Sequence, residues 1–257
     1  MDLQLGDKRV LVTGSSRGTG LGIAKGFLAE EARVTLTGRE AKTLTQVSKR
    51  LKSIHGNDRV LDFRGDLQRT TAIQRLLRTI DKKWGGLDVL ILNLGSGRSV
   101  PGLEVTEAEW HRVLTLNLVS SMETLRQAVP LLSKGHDPSI TFIGSIAGLE
   151  ILGAPVAYGA AKAALRHAMK SAARLLAPRK IRVNMVAPGN IFFEGGTWDR
   201  KLKENKKAVK KMLENEVPLR RFCTVDEVAA PVLFLSSRRA SFITGACLVV
   251  DGGQTRS

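Results

Sequence analysis

Short apolar runs alternate with longer stretches of helical period from one end of the chain to the other. The apolar runs fall at residues 9–13, 33–37, 60–64, 89–94, 139–145, 181–187 and 247–251. Between and around them, helical patterns occupy about 18–30, 39–55, 70–84, 106–132, 157–176, 199–216 and 225–236. Such alternation predicts an α/β fold: a doubly wound parallel sheet of seven strands with helices on both faces. Thr106, with Glu109 three residues on, predicts a capping box at the start of the 106–132 helix.

The chain is long enough for one sizeable α/β domain, and nothing in it reads as a linker. A single domain over 1–257 is therefore expected. Residues 189–217 read as an insertion carrying Phe192, Phe193, Gly195, Gly196 and Trp198, followed by a Lys-rich helix. Because this segment follows a strand, it is placed at the strands' carboxyl ends, where ligands bind in open α/β sheets. It is expected to be a flexible lid over the substrate.

Two stretches carry candidate chemistry. Directly after the first strand, Thr13-Gly14-Ser15-Ser16-Arg17-Gly18-Thr19-Gly20 leads into a helix. A glycine-rich turn there lets the backbone approach a pyrophosphate, whose charge is favoured by the helix N-terminus. In the second stretch, Tyr158 and Lys162 are four residues apart, on one face of a helix. A fixed ammonium beside the phenol is expected to lower its pKa and make Tyr158 a proton donor and acceptor. Taken alone, this spacing also fits an ordinary surface helix with a solvated lysine. Tyr158 is, however, the only tyrosine in the chain, and small residues surround it.

With the glycines at 14, 18 and 20, the chain resembles the short-chain dehydrogenase/reductase family over essentially its whole length. The family's glycine motif matches Thr13 to Gly20, including Ser16 and Arg17. Its active-site Tyr-x-x-x-Lys matches Tyr158 and Lys162, its Ser matches Ser145, and its helix Asn matches Asn117. Its Pro-Gly after a late strand matches Pro188-Gly189, with Ile191 beyond, and its closing segment is similar to residues 243–245 and 250–253. Where the family has Asn-Asn-Ala-Gly, this chain has Leu92-Asn93-Leu94-Gly95, keeping Asn93 and Gly95. Asp66, with Leu67 beside it, matches the residue that holds the adenine in relatives; it could equally cap the following turn.

The resemblance implies a Rossmann-type oxidoreductase. Tyr158 would exchange a proton with the substrate oxygen while Ser145 hydrogen-bonds the same oxygen. Lys162 would tune Tyr158 and hold the nicotinamide ribose, and Asn117 would anchor a water relay to Lys162. Relatives that use NAD tend to place an acid at the end of the second strand, where it would repel a 2′-phosphate. Here that position is Gly38, followed by Arg39, with Arg17 a second cation on the same side. Guanidinium groups recognise phosphate through paired hydrogen bonds, so NADP(H) is expected over NAD(H).

The net charge of +16 makes nucleic acid, an anionic membrane surface or an anionic substrate worth weighing. Arg200, Lys201, Lys203, Lys206, Lys207, Lys210 and Lys211 stand against the single Glu204 within residues 200–211, and the rest of the excess is spread. The basic run lacks interleaved aromatics for base stacking, so nucleic acid is not expected as the main ligand. A basic lid would suit a substrate carrying phosphate or carboxylate. The two cysteines, 223 and 247, are too few and too far apart for a disulfide framework or a zinc site. The four histidines, 55, 111, 136 and 167, show no ligand spacing, so no metal is expected. With no membrane-length apolar run, and a short polar start at residues 1–7 that leaves no room for a signal peptide, a cytoplasmic protein is expected.

The leading expectation is NADPH-dependent reduction of a small-molecule carbonyl, 3-oxoacyl-type or another ketone. A polyol or sugar dehydrogenase running oxidatively is the second enzyme reading. A cofactor-sensing protein without catalysis is the alternative of another class, weakened by the intact Ser145, Tyr158 and Lys162. By resemblance a homotetramer or homodimer is expected, through the helices at 106–132 and 157–176.

Overall fold

The computed structural model describes residues 2–256. All seven predicted strands are present: β1 Arg9–Val12, β2 Arg33–Gly38, β3 Val60–Arg64, β4 Val89–Leu92, β5 Ser139–Ile143, β6 Arg182–Pro188 and β7 Cys247–Val250. They form one parallel sheet in the order β3-β2-β1-β4-β5-β6-β7. Chain direction across the sheet reverses between β1 and β4. A crevice opens there, beyond the strands' carboxyl ends.

Alternate side chains of each strand enter different cores, which is why the runs read as continuously apolar. In β1, Val10 and Val12 pack with Ile23 and Phe27 of α1 (Gly18–Ala29) and with Val228 and Val232 of α9 (Val225–Ser236). Leu11, between them, packs with Ile73, Leu76 and Ile80 of α3 (Thr70–Trp84) on the other face. The remaining flanking helices are α2 (Ala41–His55), α5 (Ser120–Leu132) and α6 (Val156–Leu176). No helix among the described residues is long and apolar enough to cross a membrane.

Two predicted helices are interrupted. The helix expected over 106–132 is α4 (Glu107–Leu114), a π-turn at Thr115–Val119, then α5. Asn117 sits in that turn and its Nδ2 donates to the Val113 carbonyl at 3.0 Å, so a side chain competes for a backbone acceptor. The capping box expected at its start is half formed. Thr106 Oγ1 accepts from Glu109 N, whereas the Glu109 carboxylate accepts instead from Arg112 and Ser99. A complete capping box occurs at Thr224 and Glu227, opening α9.

The helix expected over 199–216 is also two: α7 (Thr197–Glu204) and α8 (Lys206–Glu216). Asn205 leaves the helical region (φ −155°, ψ 82°) and its side chain accepts from Ala208 N at 3.0 Å, capping α8.

Candidate active site

Two glycines of the turn after β1 have positive φ, Gly14 at 65° and Gly18 at 57°. A third, Gly20, is required by packing: a Cβ there would stand 2.5 Å from both Asn93 Nδ2 and the Gly14 carbonyl. Asn93 ties the turn to the end of β4, its Nδ2 donating to the carbonyls of Thr13 (3.0 Å) and Gly14 (3.2 Å). From the other side, Thr37 Oγ1 accepts from Gly14 N at 2.8 Å, and Ser15 Oγ accepts from Thr37 N at 2.9 Å. The turn is thus held open and rigid by side chains from both neighbouring strands. The departures at Leu92 and Leu94 leave this arrangement intact, since Leu92 is buried in the core and Asn93 does the tying.

The turn forms one end of a cavity of about 1080 Å³. Ser16, Arg17, Gly38 and Arg39 line that end, and Glu40 brings one acid to it. A Cβ at Gly38 would lie 2.9 Å from Ser16, so a side chain at this position would press on the turn. Asp66 and Leu67 also line the cavity. Asp66 Oδ1 accepts from Gln68 N at 3.2 Å, so it caps the following turn while facing the cavity.

At the other end, Ser145, Tyr158 and Lys162 face the same cavity, together with Gly95, Pro188, Gly189 and Ile191. Ser145 lies just past β5, and its Oγ accepts from Ala147 N at 3.2 Å. The short turn at Ile146–Gly148 lies flat on α6, where a Cβ at Gly148 would be 2.6 Å from the Lys162 carbonyl carbon. This close approach brings Ser145 within hydrogen-bonding reach of Tyr158. Asn117 is fully buried behind them, its Oδ1 accepting from Ser96 N at 2.9 Å. A Cβ at Gly95 would stand 2.8 Å from Asn117 Oδ1 and 3.4 Å from Lys162 Nζ, so the missing side chain leaves a gap between the two.

One electrostatic expectation is overturned. The Tyr158 phenol lies above its ordinary pKa, because burial disfavours phenolate more than the Ser145 hydroxyl stabilises it. Lys162 Nζ is engaged elsewhere, donating to the Ile143 carbonyl at 2.9 Å and standing 5.8 Å from the Tyr158 ring centre. Burial lowers the ammonium itself to about 8. At neutral pH the structure therefore presents a protonated phenol beside a buried cation.

Residues 189–217, the segment expected as a lid, border the same cavity. Phe193 meets the glycine turn edge-on; a Cβ at Gly18 would be 2.8 Å from its ring. Trp198 lines the cavity and Phe192 does not; both stack on Phe222, with centroids 5.4 and 5.8 Å apart. Three of the seven residues of the basic run are paired along their own helices, Arg200 with Glu204 (3.0 Å), Lys203 with Asp199 (2.8 Å) and Lys210 with Glu214 (3.8 Å). Lys201 alone of that run lines the cavity, its Nζ 4.5 Å from the Trp198 ring centre. Asn190, Met212, Glu216 and Gln254 also line it and had no signal in the sequence: they share no motif or period, and Gln254 reaches the site from the C-terminal end. Among the described residues no three His, Cys, Asp or Glu side chains group as a metal site.

A dinucleotide fits this donor set. The glycines leave backbone N–H groups uncovered at the start of α1, two guanidinium groups flank the turn, and no side chain projects from Gly38.

Comparison with known proteins agrees over the whole chain. The model of the family described as enoyl-(acyl carrier protein) reductase matches residues 14–255. The 3-oxoacyl-[acyl-carrier-protein] reductase FabG of Chlamydia pneumoniae is 34% identical over 255 residues, covering 99% of this chain and all of its own. The uncharacterized oxidoreductase YvrD of Bacillus subtilis is 31% identical over 266 residues, with both chains fully covered. Among solved structures, L-sorbose reductase from Gluconobacter frateurii, complexed with NADPH and L-sorbose, superposes with a TM-score of 0.93 at 29% identity, covering both chains completely. An NADPH-bound short-chain oxidoreductase from Pseudomonas aeruginosa with an atypical catalytic center gives 0.91 at 26% identity, covering 98% of this chain and 99% of its own. From the sheet order, the glycine turn and these relatives together, the chain belongs to the short-chain dehydrogenase/reductase family and is an NAD(P)-dependent oxidoreductase.

Proposed function

We propose that the protein reduces a ketone to an alcohol with NADPH, Tyr158 supplying the proton. The observation that carries this reading is one cavity with the glycine turn at one end and Ser145, Tyr158 and Lys162 at the other. When bound, the dinucleotide supplies the hydride. Everything else falls to the chain's own residues.

Gly14, Ser16, Arg17, Gly18 and Gly20 hold the pyrophosphate end, and Asp66 and Leu67 the adenine. Asn93 and Gly95 shape the floor, and Pro188, Gly189 and Ile191 the nicotinamide wall. Ser145 donates to the substrate oxygen and fixes its position, and Tyr158 gives that oxygen a proton as charge develops. A phenol held above its ordinary pKa is protonated at neutral pH, the form a donor needs. Lys162 keeps positive charge behind the phenol, and the gap at Gly95 gives it a path towards Asn117 for proton resupply.

NADPH is preferred because Arg17 and Arg39 outnumber Glu40 where a 2′-phosphate would sit. NADPH is also the cofactor in the L-sorbose reductase and Pseudomonas complexes. An anionic substrate draws on Lys201, the one residue of the basic run that lines the cavity.

The test is loss of NADPH absorbance across a panel of ketones, 3-oxoacyl thioesters included. NADPH binding without turnover of any of them would favour a cofactor-sensing protein. Titrating both cofactors by fluorescence checks the preference, and equal or tighter binding of NADH overturns it.

A further inference from the structure

The substrate half of the cavity holds a polar pair that the proposed chemistry does not use. Asn190, just after β6, donates from Nδ2 to Gln254 Oε1 at 2.9 Å. Both residues line the cavity, and Gln254 is only 8% exposed. Among the described residues, Gln254 Nε2 and Asn190 Oδ1 have no protein partner, and neither is sealed from the cavity. One donor and one acceptor are thus presented side by side. Turning both amides over exchanges their roles and leaves the same set.

The pair is built in. Asn190's backbone carbonyl accepts from Cys223 N at 2.9 Å, and its Nδ2 also contacts Met212 Sδ at 3.7 Å. Gln254 is presented by a turn that Asp251 organises, its carboxylate accepting from Gly253 N (2.9 Å), Thr255 N (2.7 Å) and Thr255 Oγ1 (2.8 Å). Two residues on, Arg256 N donates to Glu150 Oε1 at 2.7 Å, fastening the C-terminal segment to the loop after β5. Both amides are therefore positioned before any substrate arrives.

A donor and an acceptor that face the cavity without a protein partner disfavour an occupant that displaces their water and cannot satisfy both. A ketone or thioester carbonyl only accepts, and an alkyl chain does neither. A hydroxyl does both. We infer that Asn190 and Gln254 read a hydroxyl of the substrate, so that the substrate class is a hydroxylated ketone of the ketose kind rather than a plain oxoacyl chain. The inference rests on the carbonyl-reductase reading and narrows it. Glu216, on the same wall, offers a further acceptor for a second hydroxyl.

The experiment compares kcat/KM with NADPH for dihydroxyacetone, D-fructose and L-sorbose against 2-pentanone and ethyl acetoacetate, in wild type, Gln254→Leu and Gln254→Glu. The wild type is expected to favour at least one hydroxyketone over the hydroxyl-free ketones by about tenfold or more. Gln254→Leu is expected to cut that ratio by about tenfold or more, through KM, with NADPH affinity as the control for folding. Gln254→Glu keeps size and acceptor but loses the donor, and should cut the ratio in the same direction. A wild type that prefers ethyl acetoacetate, or substitutions that lower both classes equally, overturns the hydroxyl assignment and leaves the reductase reading standing. Failure of the wild type to reduce any ketone while binding NADPH overturns both.

Discussion

The glycine turn and the lid face the same cavity but are held by different forces. At the turn, Asn93 and Thr37 bond the backbone from both neighbouring strands, Ser15 of the turn accepts from Thr37 N in return, and a single added methyl at Gly20 would strike atoms 2.5 Å away. In the segment expected as a lid, α7 and α8 carry ion pairs one turn apart within each helix, and Gly195 has nothing within 4 Å of where a Cβ would go. Rigidity is concentrated where a constant group, the dinucleotide, binds. The attachments of residues 189–217 beyond their own helices gather near the start of the segment: Phe193 on Gly18, backbone bonds from Asn190 and Phe192 to Cys223, the Asn190–Gln254 bond, and Phe192 and Trp198 on Phe222.

The sharpest way to test this contrast is at the floor. Tyr158→Phe is expected to lower kcat by about a hundredfold to ten-thousandfold, the range for losing a general acid, with NADPH affinity unchanged. Turnover within tenfold of wild type would remove Tyr158 from the reaction. Next, Gly20→Ala should cost about 1–3 kcal/mol in urea unfolding and weaken NADPH, because backbone and a bonded amide cannot give way. Gly195→Ala, whose only penalty is a φ of 72°, should cost about 1 kcal/mol and leave NADPH binding alone. Equal costs at the two glycines would break the comparison.

The third outcome concerns pH. Lys162 is lowered from 10.5 to about 8 in the folded chain, so the unfolded chain binds more protons between those values. Stability then rises with pH from about 8 towards 10.5, and below pH 8 the cost of burying the ammonium is carried in full. Unfolding of wild type and Lys162→Met, compared at pH 7 and pH 9.5, should show the wild type gaining relative to the variant. The raised pKa of Tyr158 acts only above its ordinary 10, outside that comparison, where it makes stability fall. An unchanged difference would mean that the lysine is not desolvated. Smallest of all, Glu204→Gln removes one exposed pair of α7 and should leave the urea midpoint unmoved.

The sheet, the glycine turn and the Tyr158–Lys162 spacing were legible because each is local, a run, a turn or a helical period, whereas Ser145 was named only through the family resemblance. The electrostatic state of Tyr158 was not, since it depends on how deeply α6 is buried and on a carbonyl from β5 that draws Lys162 away. The break at Asn205 could be misread because the residues on both sides of it favour helix, and the interruption comes from one side chain capping its own backbone. Gln254 was invisible for another reason: its partner Asn190 lies 64 residues earlier in the chain. The two meet only because β6 and β7 are neighbours in the sheet.

The π-turn at Thr115–Val119 has a consequence for the phase of the long helix. A regular helix advances about 100° per residue, so one extra residue in a turn rotates everything before it by that amount relative to everything after. That slip lets Val113 of α4 pack with Ala157 and Ala161 of α6, while Ala128 and Leu132 of α5 pack into the core that includes α3. Removing one residue from 115–119 would restore a regular helix and turn one of these faces out of register. The irregularity is thus a gear offset, letting one helical rod serve two differently oriented surfaces with Asn117 at the join.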